Sequence, residues 1–117
     1  MKEVSKIINY KDKEYKIVFN LNVMEIIQEE YGTLNKWGDL TDGKANEGET
    51  DVKALIFGFT AMINEGIDID NDENGTNTPY LTKKQVGRML SDIGFDKATE
   101  DMNEVVIESV KSDEKNE

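Results

Sequence analysis

Neither cysteine nor histidine occurs in this 117-residue chain. No disulfide can form, so the usual mark of an extracellular scaffold is missing. Zinc, haem and iron–sulfur centres lose their customary ligands. No Ser-His-Asp or Cys-His nucleophile can be assembled, while carboxylate-only catalysis stays open. Bases are scarce too: 14 Lys and Arg stand against 25 Asp and Glu, for a net charge of −11. Phosphate binding runs on Lys and Arg, so nucleic acid and anionic membranes are disfavoured partners. The acidic excess favours solubility, or a basic partner. No apolar run has the length of a membrane helix. The start, Met1-Lys2-Glu3-Val4-Ser5-Lys6, is not followed by the apolar stretch of a signal peptide, and a cytoplasmic location is the default.

What is present suits one small core. A length of 117 residues and an apolar content of 37% predict a single domain over 1–111, with a disordered acidic tail at 112–117. Ile8 and Tyr10, then Tyr15, Ile17 and Phe19, alternate with polar residues on either side of Lys11-Asp12-Lys13. Period two around a polar turn predicts a β-hairpin, though the turn lacks an Asn-Gly or Asp-Gly pair. A helix is expected from an Asn22 cap, with Glu25 completing a capping box and Leu21 stapled to Ile26; Gly32 ends it. A short turn follows over Thr33 to Trp37, then a glycine-punctuated loop from Asp39 to Glu49. From Thr50 or Asp51 a helix apolar nearly all round predicts the central element, ending at Gly66. An acidic loop from Ile67 to Tyr80 comes next. Leu81-Thr82-Lys83-Lys84-Gln85-Val86 then carries both a capping box and a staple. That helix ends at Gly94. Asp96 caps the last one, whose stripe is Ala98, Met102, Val105, Val106 and Val110. The fold class expected is α+β and mostly helical, an N-terminal β-hairpin followed by four to five helices.

Several residue groups invite a functional reading. Asp70-Asn71-Asp72-Glu73-Asn74-Gly75 matches the first half of an EF-hand loop, which makes Asp70, Asp72 and Asn74 weak calcium candidates. The twelfth position, where a bidentate Glu belongs, is Leu81, and a solvated acidic loop is the plainer reading. Lys83, Lys84 and Arg88 form one locally basic region; Lys6, Lys11, Lys13 and Lys16 of the hairpin form the other. Either suits an acidic partner, or is an ordinary solvated face. Carboxylates cluster at Glu29-Glu30 and at Glu100, Asp101 and Glu104. They are expected on exposed helix faces, whereas an acid/base pair needs burial to separate its pKa values. Trp37, Tyr31 and Met24 are candidates for an apolar partner surface, Tyr31 reading better as core and Trp37 as more open. Val105-Val106-Ile107 puts three apolar residues in succession, so Ile107 is the one expected to point outward, toward a partner or a second copy.

The order of these signals resembles a known family. The second strand, Lys13 to Phe19, leads to a helix ending Glu29-Glu30-Tyr31-Gly32. An apolar helix and then Leu81-Thr82-x-x-Gln85-Val86-Gly87 follow. The pattern, over roughly residues 6 to 110, resembles the small tail assembly chaperones of siphophages and prophages of Gram-positive hosts, functional relatives of the phage lambda tail chaperone. The acidic stretch Ile67 to Asn77 has no counterpart in that pattern. The resemblance implies a non-enzymatic protein without cofactor or metal, acting in the host cytoplasm and absent from the mature virion. Its partners would be the tape measure protein, kept soluble, and the tail tube protein, recruited to it. It also implies that this chain is the short form of a frameshifted pair. Two readings stand beside it: an acidic mimic of nucleic acid, and a weak calcium module at Asp70–Gly75.

Overall fold

Alternation of apolar residues builds the hairpin. Strands β1 (Val4–Tyr10) and β2 (Lys13–Phe19) pair antiparallel, with Ile8 opposite Tyr15 and Lys6 opposite Ile17. The loop is only Lys11-Asp12, with φ of 49° and 63°, the two-residue primed turn whose twist matches the strands. The structure, a computed structural model, describes residues 4–115, with side chains to residue 111. Five helices follow the hairpin: α1 (Leu21–Tyr31), α2 (Leu34–Asp42), α3 (Val52–Asn74), α4 (Lys83–Ile93) and α5 (Phe95–Lys115), with a 3-10 turn at Lys44–Asn46. This is the mostly helical α+β architecture that the pattern predicts.

The hairpin is covered by helices, as a lone two-stranded sheet requires. Ile17, Val18 and Phe19 at the end of β2 are all fully buried. They join Val23 and Ile27 of α1, Phe59, Met62 and Ile63 of α3, Val86 and Met89 of α4, and Met102 and Val105 of α5 in or around one core. Each such side chain contributes roughly 1.5–3 kcal/mol by leaving water. The closest approach is between α3 and β2: a Cβ at Gly66 would collide with the backbone carbonyl oxygen of Lys16. Gly66 is therefore a mid-helix residue chosen for contact, and α3 runs on to Asn74.

That corrects two expectations. The helix does not end at Gly66, and the first half of the acidic stretch is helical. Its charge is carried partly by Lys16, whose ammonium lies 3.0 Å from Asp70. The segment after α3 is held by a polar stripe on that helix. Asn64 exchanges two hydrogen bonds with the backbone of Leu81 (2.9 and 3.0 Å), and Asn71 donates to the Thr78 carbonyl and accepts from its amide (both 3.0 Å).

Helix ends show why local signals succeed or fail. The Thr82–Gln85 capping box forms as expected, and Gly32 and Gly94 terminate α1 and α4 at positive φ. Asp51 caps α3. The cap of α1 is Asn20 rather than Asn22: its side chain accepts from the Val23 amide at 3.1 Å. Both asparagines donate to Glu65 of α3, at 2.6 and 3.1 Å, a long-range tie that local spacing does not reveal. The Leu21–Ile26 staple has no buried counterpart, since the two residues are 68% and 41% exposed. Helix α2 extends to Asp42, well past Trp37, so the loop begins later than its first glycine, Gly38. Helix α5 starts at Phe95, which puts Asp96 in its first turn instead of at the cap. The tail expected over 112–117 lies outside the residues whose side chains are described.

Candidate partner-binding groove

Helix α2 is fixed at both ends before it contributes to any site. Thr33 caps it by accepting from the Lys36 amide at 3.0 Å, and Gly43, at φ 89°, stops it. Two long-range bonds then tie its far end to the start of α3: the Asp51 amide to the Leu40 carbonyl (2.8 Å), and the Thr50 hydroxyl to the Thr41 carbonyl (3.0 Å). Trp37 does the rest. Its ring packs on Gly58 of α3, where any Cβ would collide with the indole, and its Nε1 donates to the Ala54 carbonyl at 3.0 Å. A buried indole usually finds such a partner.

Trp37 is thus 2% exposed, a correction to its expected openness. The reason is non-local: a glycine 21 positions downstream leaves the slot it fills. Yet it still borders a site. Between α2 and the C-terminal half of α5 runs an open groove of about 650 Å³. Trp37 and Leu34 line it from α2; Val106, Ile107 and Val110 line it from α5. Asn35, Asp39, Asp42, Lys44, Asn103 and Lys111 supply a polar border of mixed sign. Ile107 is 59% exposed, as the Val105-Val106-Ile107 succession predicts: Val105 faces the core, Val106 is half-buried, and the third residue has nowhere to go but out. The volume lies within the roughly 300–1,000 Å³ of ligand-sized clefts. An apolar floor with a polar rim is the anatomy of a partner surface.

The other expected site residues lie elsewhere. Lys83, Lys84 and Arg88 are exposed on α4, the Lys83 ammonium 5.1 Å from the centre of the Phe57 ring. Tyr31 packs edge-on against the same ring (5.4 Å, 81°), and burial, with Asp51 and Glu30 nearby, raises its hydroxyl pKa. Asp70, Asp72 and Asn74 sit on the last turns of α3, with no loop to wrap them round an ion. Successive even positions on a helix point to different sides. Among the described residues no group of three acidic side chains converges as a metal site.

One carboxylate departs from its expected exposed face. Asp101 is 4% exposed, held by Lys6 of β1 (3.1 Å) and Lys97 (3.2 Å). Lys6 also reaches Glu104 at 2.8 Å, and hydrogen bonds to Glu104 and Asp101 raise its pKa above 10.5. The signal was present in the sequence: Asp101 falls on the Ala98–Met102–Val105 stripe. Leu34, the floor residue missed in the sequence, stands one turn before Trp37. A carboxylate bonded by Lys6 and Lys97 ties the hairpin to α5. What the groove offers is apolar contact with a helix or an extended segment. Among the described residues no helix is long and apolar enough to cross a membrane. No family model matches the chain, and neither a curated protein nor a solved structure shows detectable similarity to it.

Proposed function

We propose that this protein is a non-enzymatic tail assembly chaperone of the siphophage type, which holds an apolar helical segment of a tape measure protein in the groove between α2 and α5. The observation that carries the reading is the exposed Ile107 beside Val106, Val110 and Leu34, along a groove floored by Trp37. A tape measure presents long apolar stripes before the tail tube encloses it. An open groove with an apolar floor covers such a stripe by helix-in-groove packing, and a net charge of −11 keeps the covered complex dispersed. The resemblance in the strand-to-Gly32 and Leu81-to-Gly87 stretches points the same way. On this reading the protein works in the host cytoplasm, recruits tail tube subunits and is left out of the virion. Nucleic-acid mimicry has less support, because Asp70, Asp101 and Glu104 are engaged by lysines instead of forming a continuous acidic face.

The test is co-expression with a tape measure fragment from the same genome. The expected result is a soluble fragment that co-purifies with the chaperone. Ile107→Glu combined with Val110→Glu should abolish this while leaving the circular dichroism of the free chain unchanged. A fragment that stays insoluble beside the native chain overturns the reading.

A further inference from the structure

The hairpin tip and α4 enclose a second cleft, about 230 Å³, which shares no residue with the groove. Tyr10, Lys11 and Tyr15 form its hairpin wall; Gln85, Arg88 and Met89 form the α4 wall. The two basic regions of the sequence meet here. No carboxylate lines the cleft, in a chain where acids outnumber bases 25 to 14.

Three locally unfavourable choices put positive charge around this one place. Lys11 holds a left-handed backbone at φ 49°, in a turn that Asn-Gly would make without strain. Lys84, in the first turn of α4 where the helix dipole disfavours cations, stands one position before Gln85 of the cleft wall, while the Lys83 ammonium turns away to the Phe57 ring. Lys84 and Arg88 are like charges one helical turn apart, which destabilises the helix further. Among the described residues neither Lys11 nor Arg88 has an ion-pair partner, and Asp92, one turn beyond Arg88, does not pair with it. The Lys11 ammonium lies instead 5.4 Å from the centre of the Tyr10 ring, on the cleft wall. Local rules broken together at one site, with no ion pair in return among the described residues, point to a function for that site.

We propose that this cleft binds a short acidic segment of a protein partner. A carboxylate bridges Lys11 and Arg88, and a neighbouring aromatic or aliphatic side chain rests against Tyr10 and Tyr15. The guanidinium fork matches a carboxylate in plane, and the tyrosine faces supply the apolar contact. The volume admits a residue or two rather than a polymer track. A polyphosphate leaving so small a patch meets the field of the remaining acidic surface, which favours a peptide over nucleic acid. Because groove and cleft are separate, both can be occupied at once.

The probe is a Glu-Phe-Glu-Asp tetrapeptide, titrated into the ¹⁵N-labelled full chain beside its Gln-Phe-Gln-Asn counterpart. Amide shifts are expected at Lys11, Gln85 and Arg88 with the acidic peptide only, weakening as salt rises. Arg88→Glu should weaken binding by about tenfold or more, as removal of a close charge pair does. Lys11→Asn separates function from folding: Asn accepts the left-handed turn, so the melting temperature should rise while binding weakens. Lys36→Glu, on α2 and outside the cleft, should leave the titration unchanged. Equal shifts with the amide peptide, shifts centred elsewhere, or tighter binding of a single-stranded oligonucleotide would each overturn the proposal.

Discussion

The groove between α2 and α5 and the cleft between the hairpin and α4 are built by opposite means. The groove breaks no local rule. Helix α2 is capped at both ends, the lining residues follow ordinary helical spacing, and the cost appears only as apolar surface left in water at Ile107 and around it. That cost is roughly 25 cal/mol for each Å² not buried. The cleft is the reverse. It exposes less apolar area than the groove, and its cost sits in the backbone of Lys11 and in the like charges of Lys84 and Arg88, one helical turn apart. An apolar site is therefore visible only once the helices are assembled, whereas a charged site can be read from violated local preferences. The two should also answer salt differently: occupation of the cleft weakens as charges are screened, and occupation of the groove does not.

Both sites hang on α3, so the largest effects come from its glycines. Gly66→Ala drives a methyl into the Lys16 carbonyl, and no rotamer change relieves a backbone contact. We expect a loss of about 3 kcal/mol, a drop in melting temperature on the order of 10 °C, and loss of the cleft as the hairpin shifts. Gly58→Ala presses on an indole, which can move. The cost is about 2 kcal/mol of overpacking less the helix propensity gained by removing glycine. Trp37 should be pushed toward the groove, so partner capture falls while the cleft still binds its peptide. Equal loss at both sites would show that groove and cleft are not independent. Thermal melts and the two binding assays decide this.

These glycines also mark where sequence reading stopped. Elements closed by neighbours in the chain were legible: the hairpin by its alternation, α4 by Thr82 and Gln85, the ends of α1 and α4 by Gly32 and Gly94. Misreadings arose where the cause lay far along the chain. Gly66 reads as a stop until Lys16 packs on it, and Asp70 reads as a loop residue until the same lysine pairs with it. Trp37 looks open until Gly58 makes room. For the sites, Ile107 was legible because three consecutive apolar residues cannot share one stripe. The groove was not legible, because it depends on how far apart α2 and α5 stand. Both basic regions were visible, but their meeting at one cleft was not.

A smaller effect probes the tie between the two halves. Lys6 joins the hairpin, which walls the cleft, to α5, which walls the groove, through Glu104 and Asp101. Those bonds raise its pKa above 10.5 in the folded chain. Its stabilising contribution is therefore complete below that value and is lost as pH rises through the folded pKa. The difference in urea midpoint between the native chain and Lys6→Met should be constant near neutral pH and shrink above about pH 10.5. A difference that stays constant through that range would mean the ammonium contributes nothing and only its aliphatic stem packs.

The smallest effect sharpens the comparison most directly. Asp12, at φ 63°, shares the strained turn with Lys11 but does not line the cleft. Asp12→Gly should remove part of the strain and leave the cation in place. The gain is about 0.5 kcal/mol, since Asp tolerates the left-handed region better than most residues while glycine occupies it freely. Melting temperature should rise by roughly 2 °C, with affinity for the acidic tetrapeptide unchanged. Lys11→Asn should give a similar rise with affinity lost. If both variants lose affinity alike, the strained backbone itself shapes the cleft and the ammonium is incidental. If only Lys11→Asn does, the strain is tolerated because it places a charge.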